Sequence, residues 1–182
     1  MKNLLLLPVL CLSLIFTSCN SNDDDSNEND DVQTGLPTEP QGTSFTANIT
    51  GGTFTNYPFS LGVYQVTKGT NGNTLSIDVA DTQGQNINLF LNGTEGFSNG
   101  TVKEMGNVDS DNFNTYAVIR DMQSQISYFS SSGNVTITHN ENHPTEDGVK
   151  IISGTYNINA ATIDGNHETN LTGTFTELEY LN

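Results

Sequence analysis

The residues of this chain whose types and spacing could do chemistry lie mainly between positions 96 and 143. Gly96-Phe97-Ser98-Asn99-Gly100 fits the pattern G-x-S-x-G, and Asp109 and His143 follow it in the order Ser, Asp, His. A nucleophilic serine of that kind needs a strained strand-to-helix elbow with an oxyanion hole at the helix N-terminus. Residues 101–112 contain Gly106 and too few apolar positions to build the helix, so the segment reads as a Gly/Asn loop. The histidines, His139, His143 and His167, have Glu141, Glu146, Asp147 and Glu168 close by. His139-Asn140-Glu141-Asn142-His143 is not H-E-x-x-H, and a strand end running into Pro144 cannot set both imidazoles on one helical face. A polar hairpin loop is expected there. Asp109-Ser110-Asp111-Asn112 opens like a calcium loop, but Phe113 takes the next ligand position and no Gly follows at the sixth, which leaves at most a casual surface site. No catalytic residue, metal or cofactor is assigned.

Aromatic side chains could serve a glycan, because Tyr offers a ring face for stacking and Asn side chains can hydrogen-bond hydroxyls. Tyr64, Tyr116 and Tyr128 lie on predicted strands beside polar positions, and Phe90 sits opposite the face made by Ile87, Leu89 and Leu91. They read more readily as a second buried sheet face or as lone surface aromatics, and the lack of Trp weakens the glycan case further. Asn-x-Thr sequons at Asn48, Asn92, Asn99, Asn134 and Asn170 arise readily in a chain whose commonest residues are Asn and Thr.

These side chains need strands to hold them. Abundant Asn, Thr and Gly with few helix formers is sheet and turn chemistry. From Thr43 onward short alternating apolar runs recur between turn signals, the pattern of an all-β sandwich or barrel. Strands are expected over 45–49, 61–66, 75–80, 87–91, 113–120, 125–129, 134–139, 149–159 and 169–178, with a short one near 101–104. Asn71-Gly72 reads as a tight hairpin turn. The expected fold is a single antiparallel β-sandwich or flattened barrel of about nine strands, in one domain over residues 43–182.

The 182 residues carry a formal charge of −16, with only 5 Lys+Arg against 21 Asp+Glu. That balance opposes nucleic acid and anionic lipid headgroups, which need Lys and Arg to displace their counterions. Residues 1–18 have a cationic start at Lys2, an apolar stretch from Leu4 to Phe16 and a small residue at Ser18, the form of a secretory signal peptide. They are too short for a span of about 20 apolar residues. Phe16-Thr17-Ser18-Cys19 resembles the lipobox of bacterial lipoproteins, which implies cleavage before Cys19 and acylation of its thiol and new N-terminus. Cys11 leaves with the signal peptide, so Cys19 would be the one thiol of the mature chain. Residues 19–42 hold an acidic run from Asp23 to Asp31, Pro37 and Pro40, and nothing that could bury a core, so they read as a disordered acidic tether. Asp23-Asp24-Asp25 just after Cys19 resembles the export signal that sends lipoproteins of Bacteroidota to the outer face of the outer membrane. A solvated spacer is the plain alternative.

Within 43–182, Phe45-Thr46-Ala47-Asn48-Ile49, Gly133-Asn134-Val135-Thr136-Ile137-Thr138, Ile152-Ser153-Gly154-Thr155-Tyr156 and Leu171-Thr172-Gly173-Thr174-Phe175 form a recurring Gly-Thr strand grammar. It resembles that of a Bacteroidota, flavobacterial-type, lipoprotein family with a C-terminal all-β domain of unknown function. The resemblance implies the fold and the outer membrane as partner through N-terminal acyl chains; it implies no activity. The expectation is a lipid-anchored protein facing the cell exterior and acting as a non-enzymatic binding or accessory module for a glycan or protein ligand. A calycin-like carrier of a small ligand is the runner-up, and an enzyme the third reading.

Overall fold

The computed structural model describes residues 42–70 and 73–182. The signal peptide 1–18, Cys19, Asp23, Asp24, Asp25 and the tether up to residue 41 lie outside the described residues, as does the Asn71-Gly72 turn. The described residues are all-β, without a helix. Ten strands form one antiparallel sheet: β1 Ser44–Gly51, β2 Phe54–Ser60, β3 Val63–Lys68, β4 Leu75–Ala80, β5 Asn86–Leu91, β6 Val102–Glu104, β7 Tyr116–Asp121, β8 Ile126–Asn142, β9 Val149–Ala161 and β10 Glu168–Leu181. The order across the sheet is β2-β1-β10-β9-β8-β7-β5-β4-β3, and β6 lies alongside β8.

Chain connectivity forces this sheet to curl. Its edge strands, β2 and β3, are joined by Leu61 and Gly62 alone. The Leu61 amide donates to the Phe45 carbonyl on β1 and the Gly62 amide to the Ala80 carbonyl on β4, both at 2.9 Å, so the two edges lie side by side at that corner. Farther along, the Glu179 amide of β10 donates to the Tyr64 hydroxyl of β3 at 3.4 Å. This is the expected sandwich or flattened barrel, with one core. Phe45, Ile49, Leu75, Ile77, Leu89, Leu91, Ile119, Tyr128, Ile137 and Leu178 are all fully buried in it.

β8, β9 and β10 are long enough, at 17, 13 and 14 residues, to serve both halves of the fold. Register shifts bend them, at Ser130/Ser132 and Ile137/His139 between β8 and β9 and at Phe175/Leu178 on β10. An extra residue at a bulge sharpens local twist and turns the strand. At the β10 bulge Glu177 has φ 49, and its amide donates to the Ser153 hydroxyl at 2.9 Å in place of a ladder bond.

The Gly-Thr grammar has a packing reason. Register sets Gly173 opposite Tyr156 and Phe175 opposite Gly154. Each aromatic ring thus lies over the bare backbone of the partner strand. A Cβ on Gly154 would come within 2.4 Å of the Phe175 ring, and one on Gly173 within 2.6 Å of the Tyr156 hydroxyl and 1.9 Å of the Thr46 carbonyl. Phe45 completes the group, 5.2 Å from Tyr156 and 6.3 Å from Phe175 between centroids, and the Tyr156 hydroxyl donates to the Thr46 carbonyl at 2.7 Å.

Three expectations need correction in detail. Residues 54–60, expected as connection, form β2, an edge strand that tolerates Pro58 because its N–H side faces no partner. Residues 125–129 and 134–139, expected as two strands, belong to the single strand β8, with the Ser-rich stretch a bulge rather than a break. The ladder of β7 begins at Tyr116, three residues later than expected, because 113–115 belong to the preceding loop.

Candidate functional site

Alternation along β3, β4, β5 and β7 sends Leu75, Ile77, Val79, Ile87, Leu89, Ala117 and Ile119 into the core and leaves the opposite set on the outside. Strand register arranges the outer set in rows. Val63, Ala80, Asn86 and Arg120 form one row, Gln65, Asp78, Asn88 and Val118 the next, and Thr67, Ser76, Phe90 and Tyr116 the third. A shallow open groove of about 660 Å³ runs over this face and takes in Gln65, Asp78, Asn88, Tyr116, Val118 and Arg120.

Three features give the face its chemistry. The first is an aromatic cluster, with Tyr116 stacked on Phe90 at 5.1 Å between centroids and 14° between planes, and Phe113 tilted against Phe90 at 6.2 Å. The second is a polar triangle: the Asn88 amide donates to Asp78 Oδ1 at 2.6 Å and to Ser76 Oγ at 2.9 Å, while Ser76 Oγ donates to Asp78 Oδ2 at 2.9 Å. The third is Arg120, the one arginine of the chain, exposed and, among the described residues, in no ion pair. Phe129, 42% exposed, stands across the β7–β8 ladder from Val118.

Of the aromatics singled out in the sequence, Tyr116 and Phe90 therefore lie on an outer face, and two others do not. Tyr128 is fully buried and accepts a bond from the Thr53 amide at 2.9 Å; Tyr64 sits opposite Val79 and packs against the core. Phe113, which no sequence pattern marks, joins the cluster because the loop before β7 folds back over Phe90.

The motifs of the 96–143 stretch are engaged in holding loops. No helix follows Ser98, whose hydroxyl lies 3.2 Å from that of Thr101. Asp109 accepts from the amides of Phe113 at 2.8 Å, Asp111 at 3.0 Å and Gly93 at 3.1 Å. Although burial raises its pKa, those bonds and the Lys103 charge lower it further, so the carboxyl is held below the usual range. His143 Nδ1 accepts from the Glu146 amide at 3.0 Å, and its Nε2 is 3.5 Å from Glu179. His139 pairs with Glu141 at 3.4 Å. Ser98, Asp109 and His143 thus each have their own local partners. Among the described residues no three His, Cys, Asp or Glu side chains converge as a metal site.

Two polar centres have no signature in the sequence. One is Lys103, only 2% exposed, whose ammonium donates to the Asn92 carbonyl at 2.9 Å and to the Thr94 carbonyl and lies 4.4 Å from the Phe97 ring centroid. Burial pushes its pKa down to about 8 against the opposing pull of Glu95 and Asp109. Asn92, one of the sequons, is 1% exposed and donates to the carbonyls of Asn107 at 2.8 Å and Phe113 at 3.0 Å, tying the same loop together. The other centre holds two carboxylates. Asp121 accepts from Thr53 Oγ1 at 2.6 Å, Gln85 Nε2 at 3.2 Å and the amides of Gln123 and Ser124; Asp81 accepts from the Tyr57 hydroxyl and the amides of Gln83 and Gln85. Burial alone would raise Asp121, yet its bonds from Thr53, Ser124 and Gln85 hold it at about 2. Burial, the bond to Asp81 and the charges of Asp81 and Asp121 push Tyr57 up to about 12. Both carboxylates spend their acceptor capacity on the chain's own donors, which is the work of turn caps.

No protein-family model, curated protein or solved structure matches this chain.

Proposed function

We propose that this protein is a non-enzymatic binding module, lipid-anchored through Cys19 to the outer membrane, facing the cell exterior on its acidic tether and taking its ligand on the outer face of β3, β4, β5 and β7. The observation that carries the reading is the convergence on one outer face of a stacked Phe90–Tyr116 pair, the Asp78–Asn88–Ser76 triangle and the exposed Arg120, with Asp78, Asn88, Tyr116 and Arg120 lining one open groove. Solvent-exposed aromatics and a free guanidinium are the side chains that anchor ligands at recognition surfaces. A calycin-like carrier would take its ligand inside the fold; the burial of Phe45, Phe59, Tyr128 and Phe175 in the core favours a site on the outer face. For an enzyme, Asp81 and Asp121 are the best-placed pair of carboxylates, and both are saturated by turn amides and hydroxyls. Membership of the Bacteroidota lipoprotein family belongs to this proposal and rests on the lipobox-like Phe16-Thr17-Ser18-Cys19, Asp23-Asp24-Asp25 and the Gly-Thr strands.

A photoreactive side chain in place of Val118 tests the face on intact cells. It should give adducts that vanish when Tyr116 and Arg120 are both replaced by Ala, while the same probe at the exposed Thr155 on β9 gives none. Adducts from Thr155 and none from Val118 would move the binding surface elsewhere.

A further inference from the structure

We infer that the ligand of this face is an uncharged glycan, bound as a run of about three sugar residues across the strands; the inference rests on the binding face proposed above. Charge is the first argument. In a chain of net charge −16, the three rows carry one carboxylate, Asp78, and one guanidinium, Arg120, and so are neutral as a set. A polyanion would meet a single exposed cation on an otherwise acidic molecule, too few for tight binding by counterion release. A cationic ligand would meet Arg120 itself.

Hydrogen-bonding capacity is the second argument. Both amide hydrogens of Asn88 are committed to Asp78 and Ser76, which fixes the plane of the group and leaves the Asn88 carbonyl oxygen and the remaining lone pairs of Asp78 as acceptors. Arg120 adds a fan of donors one row away. Acceptors and donors in neighbouring rows, with almost no net charge, match the hydroxyl groups of a sugar, which can donate to Asp78 and accept from Arg120 at different positions along the chain of rings. The Tyr116 ring, stacked beside Phe90 of the neighbouring strand and still exposed, supplies aromatic surface for the C–H edges of a pyranose ring.

Size is the third. Strands about 4.8 Å apart put roughly 14 Å between β3 and β7, which is about three pyranose units of roughly 5 Å each. The groove is shallow and takes in residues of all four strands, from Gln65 on β3 to Arg120 on β7.

Affinity electrophoresis of the purified protein through gels containing mixed-linkage β-glucan, xylan, galactomannan or starch tests the inference, with polygalacturonate as the charged comparison. At least one uncharged polymer should retard the protein. Tyr116→Ala and Asp78→Ala should each weaken that retardation at least tenfold, and affinity for the matching oligosaccharides should stop rising at about three units. Arg120→Gln, at an exposed side chain in no ion pair among the described residues, should keep the fold and also lose at least fivefold. Retardation by polygalacturonate alone, sensitive to Tyr116→Ala, would leave the face standing and overturn the uncharged ligand. Retardation by an uncharged polymer that all three variants retain would overturn the face itself. Retardation by none of the polymers, with adducts at Val118 to a protein, would replace the glycan with a protein partner.

Discussion

Lys103 shows how a single buried charge can organise a loop whose sequence looks unstructured. The ammonium has lost its water and satisfies the carbonyls of Asn92 and Thr94, so its removal orphans two acceptors. Lys103→Met keeps the apolar stem and should cost about 1–3 kcal/mol in a urea titration at pH 7. The same residue gives a pH signature. Its pKa is about 8 when folded against 10.5 for an ordinary lysine, so between these values the unfolded chain binds more protons than the folded one. Stability from this group therefore rises as pH climbs from about 8 to about 10.5 and is level below and above that window. Comparing urea midpoints at pH 7.5 and pH 9.5 should show a gain in wild type that Lys103→Met lacks; equal gains in both would assign the slope to other groups. Neither Lys103 nor Asn92 was legible in the sequence. A lone lysine and an Asn in a sequon acquire their roles only when residues 92 and 103 to 113 are brought together by a loop without periodicity. Phe90 was legible because alternation sets it opposite Ile87, Leu89 and Leu91; Tyr116 was not told apart from Tyr64 and Tyr128, since a tyrosine beside polar positions reads the same whether its face is buried or exposed.

For the strands, alternation was a sufficient guide where one face is plainly apolar. Leu75, Ile77 and Val79 on β4 and Ile87, Leu89 and Leu91 on β5 give their register away. Where the chain bends, composition misleads. Ser130, Ser131, Ser132 and Gly133 look like a loop, yet they continue β8 through a bulge, and Gly133, with φ 109, has its missing Cβ directed at the Asn157 carbonyl at 2.1 Å. Asn56, with φ 47, and Pro58 hide β2 in the same way. The pairing of Gly173 with Tyr156 makes the sharpest prediction about an element. Gly173→Ala forces a Cβ into the Thr46 carbonyl and should destabilise the fold by more than about 3 kcal/mol or prevent folding, as overpacking against rigid backbone does. Gly96→Ala has open space around it and should cost only about 1 kcal/mol for its left-handed backbone, φ 69. Thermal melts of the two variants compare them directly, and a Gly173→Ala melt within a few degrees of wild type would contradict the ring-over-glycine packing.

Across the whole molecule, the all-β class was legible because no stretch from Thr43 onward has helical periodicity. The sandwich or flattened barrel followed from the same pattern; the strand order did not, since it depends on β1 pairing with β10, which no local pattern encodes. Placement of the protein rests on its first residues. Cys19→Ala should abolish labelling by a radioactive fatty acid and leave an uncleaved or soluble product; a labelled variant would refute the lipid attachment. Replacing Asp23, Asp24 and Asp25 by Ala leaves the lipobox and the β domain untouched, so that variant should still be acylated yet become protected from protease added to whole cells. If both forms are shaved equally, the acidic run serves as a spacer alone.

The pairing of the first strand with the last also sets a timetable. Ser44 to Gly51 lie in register with Thr176 to Thr169, and β10 in turn bridges β1 to β9. Until the final 14-residue strand is available, β1 has β2 as its sole neighbour, and an isolated two-stranded hairpin is marginally stable at best in water. Closing the ends of so long a chain is also slow, because the loop entropy must be lost before the contacts repay it. While the chain is being made, β3, β4, β5, β7 and β8 can pair in turn, but the β1–β2 hairpin stays a loose end. The sheet closes on itself only when its last residues arrive.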